Sequence, residues 1–496
     1  MVVLERELKL QADAAFTMPD LTVVPGVTAE LGPPERLVAL YYDTPNLRLA
    51  HWGVTLRDRD GVWTLKVPVG DGHHILNRHE VSFTGASGTP PPAAQDAVCA
   101  LLAGEAMAPI ATIATTRRIY RIRGGDGRGL GNLADDLVEV SRDGLVTSGF
   151  RQLELELAPG AEPRLRKAVA RLLRAAGAQR EPALPKLIQA LGIDPAAGPE
   201  PRSPAVGPDA TLQAAISAAL AAGVRRLAGH DPGIRLDLDT EAVHQARAAT
   251  RQLRATLAAL RPALASPDRA ASLRAELRWL GAALGAVRDP DVLGERLRAG
   301  MLQIAAPDTG GVGRLLSALA AERASARATL LAAMHEDRYG ALLRDMAAFA
   351  TAPDLVGGSE PARRALPSLV RRRWRRLTRS VADLRSSPED ADLHRIRIRA
   401  KDARYTAEAA APVLGEPAER LARSLAELQS VLGRLQDATV AEAWLRRHGR
   451  RAGGTQALAA GQLIAVARDD AADVRSEWRG YWAATIERAR QLGLKA

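Results

Sequence analysis

One cysteine, Cys99, occurs in 496 residues. That excludes an internal disulfide and a cysteine-based metal cluster. No run approaches the roughly 18 uncharged apolar residues that a membrane-spanning helix needs. The first nine residues carry charge from Glu5 onward and do not read as the hydrophobic region of a signal peptide. The expectation is a cytoplasmic protein with no membrane partner. Aromatic residues make up only 3 %, too few for rows of stacking platforms. Lysine is scarce as well: six of the 68 basic residues.

What is present is a globular balance of 47 % hydrophobic and 25 % charged residues. A chain of this length predicts two to four domains, each able to bury a core. The formal charge of +11 is unevenly spread. Residues 1–200 hold 22 basic and 24 acidic side chains, whereas residues 201–496 hold 46 and 33. Codon bias accounts for arginine enrichment but not for this asymmetry, because both halves share the bias. The basic half calls for a polyanionic partner.

Residues 195–208 contain five prolines in fourteen residues and read as a semi-rigid linker. Before it lie short segments rich in Val, Thr and Tyr, with turns at Asp60-Gly61 and Asp143-Gly144. After it lie long Ala/Leu/Arg stretches with apolar residues every three or four positions. The expected domains are 1–194 and 209–496, the first β-rich and the second all-α.

Residues 3–10 alternate, with Leu4, Leu8 and Leu10 on one face and Glu5, Glu7 and Lys9 on the other. Leu153-Glu154-Leu155-Glu156-Leu157 repeats the pattern. Thr55, Arg57 and Arg59 share a face, as do Thr64 and Lys66, opposite Trp63, Leu65 and Val67. One such strand reads as leucines to the core and charges to water. Recurrence on several strands also fits a closed sheet with a polar lumen, its apolar side covered by helices. Paired carboxylates suit Mg²⁺ or Mn²⁺, and neighbouring Arg and Lys suit phosphate oxygens.

Glu5-x-Glu7-x-Lys9 resembles the signature of the CYTH, or triphosphate-tunnel, superfamily. Further elements follow in family order: Tyr42-Asp43-Thr44, Leu56-Arg57-x-Arg59, Thr64-Leu65-Lys66, Arg78-x-Glu80, Arg117-Arg118-x-Tyr120, Ala134-Asp135-Asp136, Glu154-x-Glu156 and Pro185-Lys186. The resemblance, over roughly residues 1–190, implies an eight-stranded antiparallel tunnel that binds triphosphate with a divalent metal. Carried over, Glu5, Glu7, Glu154 and Glu156 are metal-site and catalytic residues. Lys9, Arg57, Arg59, Lys66, Arg78, Arg118 and Lys186 bind substrate phosphate, Lys9 also counting as catalytic. Asp136 and Glu80 are supporting groups. Cys99 is expected to be structural, and His73, His74 and His79 to lie in a surface loop. Asp71-Gly72 and residues 124–127 read as turns.

The second half contains a duplication. His244, Arg247, Arg251 and Arg254 are matched 150 residues later by His394, Arg397, Lys401 and Arg404. Arg225-Arg226-Leu227 returns as Arg375-Arg376-Leu377, and Leu284-Gly285-x-x-x-Asp289 as Leu432-Gly433-x-x-x-Asp437. The expected copies span about 209–350 and 360–496, each a helical bundle. Offsets of 0, 3, 7 and 10 fall within about 80° on a helix. Each copy therefore carries one histidine and three cations in a stripe, and two facing stripes make a groove for a flexible polyanion. With almost no aromatics in the stripes, nucleic acid is not the expected partner.

These segments resemble the CHAD domain, with Gln252 where a second Arg is usual. That family implies binding of inorganic polyphosphate, here by the eight stripe residues. The whole is an α+β multidomain chain. It is expected to be a metal-dependent inorganic triphosphatase that also binds polyphosphate, in the cytoplasm and associated with polyphosphate granules. The alternatives are a non-enzymatic polyphosphate-binding protein and a tunnel enzyme for an organic triphosphate, thiamine triphosphate or ATP.

Overall fold

The computed structural model describes residues 2–70, 76–158, 160–161, 163–179, 184–304, 306–450 and 453–495. His73, His74 and Asp71-Gly72 lie outside them. The chain divides into two compact units, residues 1–199 with Asp231–Leu238, and residues 200–230 with 239–496. The first break falls within the Pro-rich stretch. The sequence reading assigns Asp231–Leu238 to the helical half. The structure groups it with the first unit instead, where Arg235 is bound to Asp231 at 2.8 Å and to Asp96 at 2.9 Å.

Among the described residues, nine antiparallel strands build the first unit: β1 (Val2–Ala12), β2 (Val27–Leu31), β3 (Glu35–Asp43), β4 (Thr55–Arg59), β5 (Val62–Pro68), β6 (Leu76–Thr84), β7 (Ala108–Gly124), β8 (Gly129–Arg142) and β9 (Leu145–Leu157). They run in the order β2-β7-β3-β4-β5-β6-β1-β9-β8, and β8 pairs back onto β7. Eight strands thus close into a barrel, as the sequence predicts. The ninth, β2, extends the same edge of β7 that β3 occupies. Asp60 and Gly61, and Asp143 and Gly144, all have positive φ, which two-residue turns need to close tight hairpins, here β4–β5 and β8–β9. His79 is not in a loop; it lies in β6, paired with Leu4 and Val67.

The alternation of β1 resolves in favour of a polar interior. Leu4 is 44 % exposed while Glu5 is 7 % exposed. On the outer face, Leu10, Leu153 and Leu155 pack with Val169 and Leu173 of the amphipathic helix Pro163–Ala175. That burial anchors the strands and fixes which side chains turn inward.

The second unit is helical. Its elements, numbered through the chain after α1 (Arg48–His51), α2 (Pro92–Leu102), α3 (Pro163–Ala175) and α4 (Lys186–Leu191), are α5 (Leu212–Gly229) and, beyond α6 (Asp231–Leu236), α7 (Thr240–Leu260), α8 (Pro267–Met301), α9 (Thr309–His335), α10 (Asp337–Thr351), α11 (Ala362–Ala382), α12 (Asp390–Leu414), α13 (Glu416–Gly449) and α14 (Gly454–Gln491). The duplication maps α5, α7, α8 and α9 onto α11, α12, α13 and α14, with α10 between the copies. Asp239 caps α7 by accepting from the Ala242 amide, and Glu389 caps α12 through a capping box. The caps are themselves 150 residues apart, so His244 and His394 each stand five residues beyond the cap.

Candidate functional site

The barrel encloses a cavity of about 280 Å³ lined by seven cationic side chains and five carboxylates. Period two explains the membership. Glu5, Glu7 and Lys9 come from β1, Arg57 and Arg59 from β4, Lys66 from β5, Arg78 and Glu80 from β6, and Glu154 and Glu156 from β9. Lys186 enters from the first turn of α4, which is held by Leu187 packing against Ala39, Tyr41, Ile113 and Val140.

Arg117, not Arg118, completes the lining. Ile113, Thr115, Arg117 and Ile119 of β7 face inward, so Arg118 falls on the outer face and is exposed. The sequence reading takes the wrong phase because Arg117 and Arg118 are adjacent and no apolar alternation around them settles it. The register of β7 against β8 does: Arg117 opposes Asp136, and its guanidinium meets Asp136 at 2.7 Å and Glu154 at 2.8 Å.

Most tunnel acids are matched by cations. Lys9 reaches Glu154 Oε1 at 2.5 Å and Glu7 at 3.2 Å. Lys66 reaches Glu5 at 2.6 Å and Glu80 at 2.9 Å. Arg78 bridges Glu5 and Glu7, both at 3.2 Å. Lys186 meets Asp136 at 2.5 Å and Glu154 Oε2 at 3.0 Å. Two places depart from this matching. The Nε atoms of Arg57 and Arg59 are buried without a hydrogen-bond partner among the described residues. At the other, burial and then the neighbouring Glu7, Glu80 and Glu154 push the Glu156 carboxyl upward. Burial and a shared hydrogen bond with Glu7 push Glu5 up to about 7. Burial also works against the Glu7 charge, but Lys9 and Arg78 outweigh it and hold Glu7 below the carboxylate range.

In the second unit the two stripes face each other. Arg251 and Lys401 act on one another electrostatically, and Arg247 and Arg397 act on both. Beside them lies a cavity of about 730 Å³ whose wall carries nine cations and a single acid, Asp402. It includes Arg251, Arg254 and Lys401 of the expected set, and Arg261, Arg274, Arg372, Arg373, Arg376 and Arg399, which the stripe pattern does not contain. Arg247 and Arg397 lie over Gly285 and Gly433, where a Cβ would sit 3.4 and 3.5 Å from the guanidinium. The repeated glycines thus let each arginine lie flat on the neighbouring helix, where Arg247 pairs with Asp289 at 2.7 Å.

Residues 4–187 match the family model of the CYTH domain, and residues 218–446 match that of the CHAD domain. The chain carries a CYTH domain followed by a CHAD domain. CYTH proteins are triphosphate tunnel enzymes that generally use divalent metals, and CHAD domains are linked to polyphosphate. The chain is 29 % identical over 468 residues to two uncharacterized Mycobacterium tuberculosis proteins, MT2285 and Rv2226, covering 87 % of each chain. Solved structures resemble it as well, two of them as follows. PptA from Streptomyces chartreusis matches with a TM-score of 0.46 and 22 % identity over 55 % of this chain and all of PptA. The CHAD domain of the plant Ricinus communis matches with a TM-score of 0.45 and 24 % identity over 60 % of this chain and 96 % of that one.

The CYTH tunnel offers oxygen donors to a cation, chiefly carboxylates, the donor set of hard divalent ions. Among the described residues no three acids converge on a ready-made cage. The crowding of Glu5, Glu7 and Glu156 nevertheless fits such a cation, which would relieve their mutual repulsion. Glu154 differs from them: Lys9 occupies one of its oxygens, Arg117 and Lys186 the other. No helix among the described residues is long and apolar enough to cross a membrane.

Proposed function

We propose that the CYTH tunnel hydrolyses inorganic triphosphate to pyrophosphate and phosphate with a divalent cation, Mg²⁺ or Mn²⁺, and that the CHAD domain holds inorganic polyphosphate. The observation that carries the reading is the pairing within one closed lumen of Arg57 and Arg59, whose Nε atoms are buried without a partner among the described residues, with a crowded carboxylate group. Seven cations against five acids leave less positive charge than a triphosphate carries, which a divalent cation would supplement. Glu5, Glu7 and Glu156 would hold the cation, whose chemistry there would be to neutralise charge on the transferring group. Arg57 and Arg59 hold phosphoryl oxygens through their guanidinium N–H groups. Lys9, Lys66, Arg78 and Lys186 fix the tunnel carboxylates in place and add positive potential along the path. Water attacks phosphorus, the bond to the bridging oxygen breaks, and a tunnel carboxylate takes the proton.

The size and lining favour an inorganic substrate over an organic triphosphate. Tyr41 is the one aromatic among the lining residues, and it is engaged with Arg57, which leaves little to stack a base or a thiazole. The test is phosphate release from tripolyphosphate, ATP and thiamine triphosphate, each with Mg²⁺ or Mn²⁺. Turnover of tripolyphosphate well above the other two is expected. Faster turnover of either organic substrate, or none of any, would sink the reading.

A further inference from the structure

The two CHAD copies retain matching stripes, yet what surrounds the stripes has diverged. The repeat offsets allow a position-by-position comparison. Around Arg254, Arg274 and Arg278 project from α8 and act on it electrostatically. With the 148-residue offset of the Leu-Gly-x-x-x-Asp anchors, their counterparts on α13 are Ala422 and Ala426. Arg372 and Arg373 of α11 line the same cavity, and at 150 residues their counterparts on α5 are Ala222 and Gly223. Four cations present on one side are therefore missing from the other.

The other side is also filled. Ala255 and Ala258, which line the cavity, correspond to Tyr405 and Glu408. Tyr405 is 2 % exposed, and the Arg404 guanidinium lies 4.5 Å from its ring centre. Glu408 pairs with Arg404 at 3.4 Å and lies within electrostatic reach of Arg226, the counterpart of Arg376. Arg226 is bonded in addition to Gln252 at 3.3 Å. The cations that remain there, Arg404 and Arg226, face the Glu408 carboxylate, whereas nine cations on the open side share the single acid Asp402.

We propose that the duplicated CHAD domain is a one-sided binder. A linear phosphate polyanion lies across the shared stripes and runs into the cavity around Arg254, Arg274 and Arg376, while the equivalent place around Arg404 is closed by Tyr405 and Glu408. This rests on the polyphosphate reading above and adds the polymer's path. A polyanion gains most where cations outnumber carboxylates, because displacing an existing carboxylate returns part of that gain.

Mirror substitutions in the full-length protein decide it. Arg376 and Arg226 are equivalent and both exposed, so neither charge reversal disturbs the core. Long-chain inorganic polyphosphate is titrated at fixed pH over a salt series. Arg376→Glu should weaken binding by about tenfold or more and flatten the salt slope, while Arg226→Glu should change affinity by less than about threefold. Glu408→Ala should leave affinity unchanged or raise it. Equal losses for the two reversals would overturn the one-sided path while leaving polyphosphate as the ligand. Absence of binding by the unaltered protein would remove both.

Discussion

Glu5 and Glu7, two residues apart on one face of β1, titrate in opposite directions. Glu5 is held up near 7 by burial and by the proton it shares with Glu7, while Glu7 is held down by Lys9 and Arg78 against the effect of burial. Glu5 therefore keeps a proton in the metal-free folded state that the unfolded chain releases above its ordinary 4.5. Its stabilising contribution is complete below pH 4.5 and is lost as pH rises to about 7. Glu7 works in the acid window, where its contribution disappears as pH falls below its ordinary 4.5. Urea midpoints with chelator at pH 5 and pH 8 should show Glu5→Gln gaining on the unaltered protein by on the order of 1–3 kcal/mol across that interval. An unchanged difference would show that the pair shares no proton.

Glu154 is the counter-charge for three cations, so Glu154→Gln should do two things. Turnover of triphosphate should fall by about a hundredfold or more, since Lys9, Arg117 and Lys186 lose the group that aims them. The folded state should lose roughly 3–5 kcal/mol, the usual cost of unpairing buried charge. Near-normal turnover at saturating metal would refute its place in the site.

Arg117 and Arg118 offer a test of strand phase. Arg117→Ala should reduce kcat by about tenfold or more, whereas Arg118→Ala should stay within about twofold. Steady-state kinetics on the two variants is sufficient. The reverse order would mean that β7 is shifted by one residue.

Lys401 is held down to about 7 by burial and by Arg251, Arg397 and Arg247. Much of its charge is therefore absent at pH 8 in the free protein. A bound polyanion restores it, so binding takes up a proton, and affinity should fall by up to about tenfold per unit as pH rises above 7. Burial first, and then Arg288, Arg251 and Arg247, hold His244 below its ordinary value, which places its own response at lower pH. Calorimetry in two buffers of different ionisation enthalpy should register the proton, and Lys401→Met should abolish most of it. An unchanged pH profile in that variant would exclude Lys401 as the source.

Gly311 of α9 faces α14 so closely that a Cβ would lie 2.3 Å from the Thr455 carbonyl oxygen. Gly311→Ala should destabilise the helical unit by about 1–3 kcal/mol, seen as a lower thermal midpoint. A midpoint equal to the parent's would show that α9 and α14 can separate without cost.

The barrel was legible because its strands carry strict alternation. Leu4, Glu5, Leu153 and Glu154 announce two faces, although only the closed sheet says which face is inside. Arg117 was missed because two adjacent arginines carry no phase of their own; the pairing with Asp136 across β8 supplies it. The stripes were legible from exact offsets. Arg274, Arg372 and Arg373 were not, since isolated arginines and arginine runs look alike on solvated and cavity-lining helix faces. Their signal lies in the contrast with Ala422, Ala222 and Gly223 at the repeat offsets. The strand β2 carries no motif and was not foreseen.

Closure of the eight strands by the β7–β8 pairing sets the geometry of access. A hydrogen-bonded ring has no seam through which a long polymer could be laid sideways. Whatever meets Arg57 arrives along the axis, end first. Internal anhydride bonds of a long chain are out of reach until its terminus has been drawn in.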